Sequence, residues 1–184
     1  MIFDNDERLI SKALSGKESA WVKLVKRYEK RIYNHCLRMT GATDEAMDIV
    51  QEVFISVFRN LPNYRGDGVF PAWLFRIATN RCTDFLRKRG NNPLNQHNET
   101  ETDNILSSNQ ADEDIQRNHT NRTVIKMLAQ LNTEQRQVIE LKLFQNMTFD
   151  EIELYTGLSA NTAKTRFYSA LQKLKNTTEI AHAI

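Results

Sequence analysis

Apolar side chains in this chain recur at three- and four-residue intervals almost wherever they occur. That is the period of one face of a helix, not of a strand. Six glycines and three prolines in 184 residues leave long stretches uninterrupted, so the expected fold is all-α. The pattern is sharpest from Leu131 to Thr178. Phe149, Ile152 and Tyr155 recur at helical spacing and stop at Gly157, which supplies the left-handed conformation of a tight helix end. Leu158 follows, and Ser159 is placed to cap a second helix carrying Lys164, Arg166, Lys173 and Lys175, with no acid from Ser159 to Thr178. A helix, a three-residue turn with Gly and a basic second helix fit a duplex major groove. DNA binding is therefore expected.

The net charge of +2 averages unlike segments. Asn91 to Gln116 holds no Lys or Arg but six acids, Glu99, Glu101, Asp103, Asp112, Glu113 and Asp114, so the flanking parts together carry +8. The segment is rich in Asn, Thr, Ser and Gln and too poor in apolar residues to offset the entropy of ordering. It reads as an acidic linker over 91–116 that joins two small helical domains, 1–90 and 117–184. There is no internal repeat. No apolar run approaches the roughly 20 residues needed to cross a membrane. Asp4, Asp6 and Glu7 stand where a signal peptide has its basic start, and the expectation is a cytoplasmic protein without membrane insertion. Cys36 and Cys82 lie in helical apolar patterns without CxxC spacing and read as buried thiols, not metal ligands. With no metal, phosphate-loop or nucleophile constellation, neither a cofactor nor catalysis is expected.

Five helical pieces are expected in the N-terminal half. Leu9, Ile10, Ala13 and Leu14 mark a short first helix ending near Gly16. Trp21, Leu24, Val25, Tyr28, Ile32, Cys36 and Met39 mark a long second, ended by Gly41. Thr43 is expected to cap a third, with Asp44 and Glu45 in its first turn, where the helix dipole favours them. Its stripe is Ala46, Ile49, Val50, Val53, Phe54, Val57 and Phe58, beside Asp48, Gln51 and Glu52. Those three polar residues read either as a solvated face or as a docking face, Asp48 and Glu52 offering carboxylates to arginines of a partner helix. After the loop Tyr64 to Val69, a fourth helix starts near Pro71 and runs to Gly90, with room for a break. Its polar side is basic, with Arg76, Arg81, Arg87, Lys88 and Arg89 against Asp84. Cations with Asn80 and nearby aromatic rings suit single-stranded nucleic acid. Trp73 and Phe75 are the stacking candidates, and core spacing marks Trp73 as the structural one.

These motifs resemble the sigma-70 family of bacterial RNA polymerase initiation factors, in its small extracytoplasmic-function group. Asp48-Ile49-Val50-Gln51-Glu52-Val53-Phe54 looks like the family's polymerase-binding signature in region 2. The stretch Phe70 to Asn80 looks like the promoter-melting segment. Leu131 to Leu174 looks like region 4, with Thr162, Lys164, Arg166 and Ala170 in the pattern of its recognition helix. The three occur in the family's order over almost the whole chain, and the group's missing third domain matches the short length.

The resemblance implies a factor that binds core polymerase, its largest and second-largest subunits, and directs it to promoter DNA through −10 and −35 elements. Asp48, Gln51, Glu52 and Phe54 would dock on a coiled coil of the largest subunit. Arg65, Gly66 and Asp67 match the loop that holds a flipped −10 base. Asn80 and Asp84 would line the open strand, with Arg76 and Arg81 on its phosphates. Lys164, Thr165, Tyr168 and Ser169 match the positions that read −35 bases, with Arg166 and Asn161 toward phosphates and Thr162 in the same −35 set. Ser169 stands where many members carry Arg, and Ala163 where Val is usual, which leaves the −35 sequence open. An anti-sigma factor, which could hold the chain near a membrane, is the further implied partner. The linker's acids either imitate RNA on the polymerase or form a plain tether. The competing readings are a helix-turn-helix regulator that binds duplex DNA with no polymerase-subunit role, and an enzyme acting on nucleic acid. The first leaves the docking signature and the basic fourth helix without a task, and the second lacks carboxylates paired for a metal.

Overall fold

The computed structural model describes residues 5–64, 66, 69–90 and 122–183. Its regular structure is helical throughout those residues. Helix α1 spans Asp6–Leu14 and is capped by Asn5, whose side chain accepts from the Arg8 N–H at 2.9 Å. Helix α2 spans Glu18–Thr40 and ends at Gly41, whose φ of 83° is the left-handed turn that a side chain would resist. Helix α3 spans Thr43–Asn60 and passes into a short 3-10 turn, Leu61–Asn63, around Pro62. Helix α4 covers Phe70–Gly90. Beyond the acidic segment come α5 over 122–129, α6 over Thr133–Ile139, α7 over Phe149–Thr156 and α8 over Ala160–Ala183. A π-helical turn, Glu140–Phe144, extends α6.

Two expectations need correcting here. Ala42 is the N-cap of α3; Thr43 is already helical and its hydroxyl caps nothing. The fourth helix is continuous, so the described residues of the N-terminal half form four α-helices, not five. Its interior holds no Gly or Pro that could break it, only Pro71 in the first turn, where the missing N–H costs nothing.

The first core packs Leu24, Ile32, Cys36 and Met39 of α2 against Ala46, Ile49, Val53 and Val57 of α3 and Leu74, Phe75, Ala78 and Cys82 of α4. Asp6 ties α1 across this bundle, accepting from Arg27 Nη1 at 2.6 Å and from the Tyr28 hydroxyl. Burial first, and then that bond to a carboxylate, push the Tyr28 hydroxyl pKa upward. Both cysteines are buried and reduced, as their spacing predicts, and the Cys82 thiol pKa is raised by its hydrogen bond to Cys36 and by burial. The second core gathers Ile125 and Leu128 of α5, Val138 and Ile139 of α6, Ile152 of α7, and Ala163, Phe167 and Ala170 of α8. The two halves meet where α2 presents Arg31, His35 and Arg38 to the π turn.

Candidate nucleic-acid interface

Each candidate surface is the polar face of a helix whose other face is core. On α3, burying Ala46, Ile49, Val53 and Val57 leaves Asp48, Gln51 and Glu52 exposed, the two carboxylates one turn apart. Phe54 is half-buried, its ring edge-on to Trp21 at 6.5 Å between centroids. The same outward face carries Met47, Ile55 and Phe58, exposed by 55%, 50% and 62%. Phe58 sets its ring edge-on to Trp21 at 5.2 Å between centroids, and exposed apolar surface and two carboxylates lie side by side on this face.

Helix α4 is fixed by an aromatic cluster at its start. Phe70 is buried between Tyr28 and Tyr64, and Trp73 lies 5.2 Å from the Tyr64 ring. The core member of the expected stacking pair is Phe75, only 1% exposed and edge-on to His35, whereas Trp73 is half-buried. That reverses the assignment from spacing, because the Tyr64–Phe70 cluster draws Trp73 to the rim. Arg76, Asn80 and Arg81 are exposed, with Arg76 and Asn80 one turn apart. Asp84 is half-exposed and pairs with Arg87 at 2.7 Å. Arg89 reaches back to Glu45 at 3.2 Å, so the basic end of α4 is tied to the start of α3. Gly66 is exposed with a φ of 76°, so the loop before α4 turns at a residue without a side chain. Arg65 and Asp67 lie outside the described residues.

The α7–α8 unit is built from caps. Thr148 and Glu151 exchange a capping box at the start of α7, and Gly157, at φ 74°, stops it. Ser159 Oγ accepts from the Thr162 N–H at 3.2 Å, and Glu153 Oε2 accepts from the Ala160 N–H at 3.0 Å, satisfying two of the N–H groups in the first turn of α8. Ala163, Phe167 and Ala170 point into the core, which leaves Asn161, Thr162, Lys164, Thr165, Tyr168 and Ser169 exposed on the other side. Lys164 Nζ sits 5.9 Å over the Phe149 ring.

Two contacts on this face escape sequence reasoning. Arg166 is half-buried and pairs with Glu134 of α6 at 2.7 Å, and Ser169 Oγ accepts from Gln135 Nε2 at 3.1 Å. Both link helices more than thirty residues apart, a pairing that no local pattern carries.

Two basic helical faces, on α4 and α8 in separate halves, and a face of α3 that combines acids with exposed apolar side chains are the surfaces this all-helical chain offers. The family model for sigma-70 region 2 matches residues 24–92, and that for sigma-70 region 4 matches residues 121–174. The RNA polymerase sigma-H factor of Pseudomonas aeruginosa is 28% identical over 178 residues, covering 93% of this chain and 92% of the relative. The extracytoplasmic-function sigma factor SigW of Bacillus subtilis is 27% identical over 92% of this chain and 94% of its own. Escherichia coli sigma-E is 25% identical, over 93% of each. Among solved structures, CnrH in complex with the cytosolic domain of CnrY superposes with a TM-score of 0.69 at 24% identity, covering 95% of this chain and 97% of that one. The sigma factor RpoE of Bartonella quintana, in complex with the anti-sigma factor NepR, gives 0.65 at 19%, over 86% and 96%. At that identity the structures show the shared all-helical fold. The chain belongs to the sigma-70 family, in its extracytoplasmic-function group, and is an initiation factor for transcription by RNA polymerase.

Proposed function

We propose that the three faces divide the work of initiation, α3 holding core polymerase, α4 the opened −10 element and α8 the −35 duplex. The observation that carries this reading is the exposed α3 face, where Asp48 and Glu52 stand among Met47, Ile55 and Phe58. An arginine-bearing helix of the largest polymerase subunit meets both needs of that face, bidentate carboxylate pairing and cover for apolar surface. An autonomous DNA-binding regulator has no use for such a face.

On α4, Asn80 takes an unstacked base while Arg76 and Arg81 neutralise phosphates of the same strand. Flipping a base out of the duplex costs a few kcal/mol, so contacts available only after opening shift the promoter toward the melted state. Arg65, Gly66 and Asp67 precede this helix and receive the extruded base. On α8, Lys164 donates to guanine acceptors, Thr165 to either base type, and Tyr168 packs on a thymine methyl. Arg166 and Asn161 set register on phosphates, and Arg166 exchanges its surface pair with Glu134 for DNA at little cost, since such pairs are worth about 0–1 kcal/mol. No bond is made or broken; the factor selects a DNA conformation and is not an enzyme. The second-largest subunit and an anti-sigma factor complete the partners, the latter supported by the complexes in which the structural relatives were solved. The setting is the cytoplasm, and among the described residues no helix is long and apolar enough to cross a membrane.

The test is charge reversal on α3. Asp48→Lys with Glu52→Lys is expected to abolish co-purification with core polymerase while leaving affinity for a −35 duplex unchanged. Retained polymerase binding would remove α3 from the interface.

A further inference from the structure

Hydroxyl side chains on the exposed side of α8 differ in the bonds they make inside the protein, and those bonds set what each can offer a base. A free serine or threonine hydroxyl has one hydrogen to donate and two lone pairs to accept with, so by itself it suits either kind of partner. Thr162 spends its hydroxyl on Ser159 Oγ, 2.8 Å away at the start of the helix. Thr165 Oγ1 lies 3.0 Å from the Asn161 carbonyl of its own helix. A carbonyl only accepts, so the Thr165 hydrogen is committed there and its lone pairs face outward.

Ser169, one turn further along, is set in the opposite sense by Gln135 of α6. The capping box of α6 orients the Gln135 amide. Its backbone N–H donates to Asn132 Oδ1 at 2.8 Å, and its Oε1 accepts from the Asn132 N–H at 3.4 Å. A backbone N–H only donates, so the amide oxygen is turned toward Asn132 and the amide nitrogen toward α8. Gln135 Nε2 then donates to Ser169 Oγ at 3.1 Å, which occupies one lone pair of the hydroxyl. Among the described residues nothing accepts the hydrogen of that hydroxyl, and Ser169 is exposed. Gln135 is half-buried, and the adjacent pair of Glu134 with Arg166, at 2.7 Å, ties the same turn of α6 to the same stretch of α8. The donor is therefore held where the hydroxyl needs it.

We propose that Gln135 is a positioning residue for base selection: acting through Ser169, it fixes the direction of one hydrogen bond to the −35 element. The inference rests on the reading of α8 as the −35 helix. In the major groove the exocyclic group of a base is either a keto oxygen, in guanine and thymine, or an amino group, in adenine and cytosine. Ser169, held as a donor, selects a keto base. Thr165, held as an acceptor, selects an amino base. Two hydroxyls that would otherwise fit any base become one donor and one acceptor, a turn apart on one face of α8. At each of the two positions they meet, the choice narrows from four bases to two.

The test uses the full chain bound to core polymerase, promoter fragments randomised across the −35 element, and sequencing of the retained pool. Wild type is expected to favour keto bases at one position by about fivefold, the worth of a neutral hydrogen bond, and amino bases at another. Ser169→Ala should flatten the first position and Thr165→Val the second. Gln135→Glu is the decisive variant. A carboxylate still accepts from the Asn132 N–H but has nothing to donate to Ser169, whose hydroxyl must turn and donate to it. The preference at the Ser169 position is then expected to invert from keto to amino bases while the other positions keep theirs. The added negative charge weakens binding to every sequence alike and so leaves preferences unmoved. Gln135→Leu, with neither donor nor acceptor, is expected to widen the Ser169 position to all four bases, and it decides the matter if circular dichroism shows the Glu variant unfolded. A folded Gln135→Glu or Gln135→Leu protein that keeps the wild-type keto preference overturns the proposal and leaves the −35 reading standing. A Ser169→Ala pool identical to that of wild type overturns it as well. If the wild-type pool shows no −35 preference at all, the −35 reading falls, and the proposal with it.

Discussion

Lys164 and Asn80 are both exposed, and each stands one turn or less from an arginine, yet the DNA proposed for them differs in form. Lys164 projects from α8, whose opposite face is locked into the core by Ala163 and Phe167, and its proposed target is the intact major groove. Lys164→Ala is expected to lower affinity for a −35 duplex by about 1–3 kcal/mol and to flatten the preference among −35 variants. Titration of labelled duplexes measures both, and a uniform loss across sequences would move Lys164 to the phosphate class. In the proposed division of labour, Asn80 touches DNA only once a strand is free. Asn80→Ala is therefore expected to leave polymerase affinity and closed-complex formation unchanged while reducing the fraction of promoter that opens, as read by permanganate footprinting of unpaired thymines. Equal losses in closed and open complexes would deny it that task.

At the scale of elements, helix ends carry much of the specification. Gly157 adopts φ 74° between α7 and α8, and a Cβ there meets no atom within 4 Å, so the cost of a side chain is conformational. Gly157→Ala is expected to lower the stability of the C-terminal half by about 1–2 kcal/mol, the penalty of the left-handed region for an L-residue. Thermal unfolding followed by circular dichroism checks it; no loss would show that the turn relaxes. The same stops made most helices legible in the sequence, because Gly41 and Gly157 end runs whose apolar period is regular. Thr43 misled because Ala42, with no side-chain oxygen, takes the cap position. The three exposed faces proposed for DNA and polymerase were legible as the polar sides of those runs. The relation between Trp73 and Phe75 was not, since Tyr64 and Phe70 decide it through space.

At the scale of the molecule, what the sequence conceals is contact between distant helices. Glu140 stands in the apolar run Val138 to Leu141, and nothing local says that His35 and Arg38, more than a hundred residues earlier, surround it. The pairs Glu134–Arg166 and Gln135–Ser169 are hidden in the same way. Family membership was legible because its signatures are local stretches in a fixed order. The division of labour proposed for α3, α4 and α8 depends on all three acting in one complex. Run-off transcription on genomic fragments, with purified core polymerase and with or without this protein, tests that most directly. New start sites are expected that depend on the protein, share two upstream elements and disappear with the Asp48→Lys, Glu52→Lys variant. A protein that binds duplex DNA specifically and tightly by itself, and adds no start site to core polymerase, would contradict it.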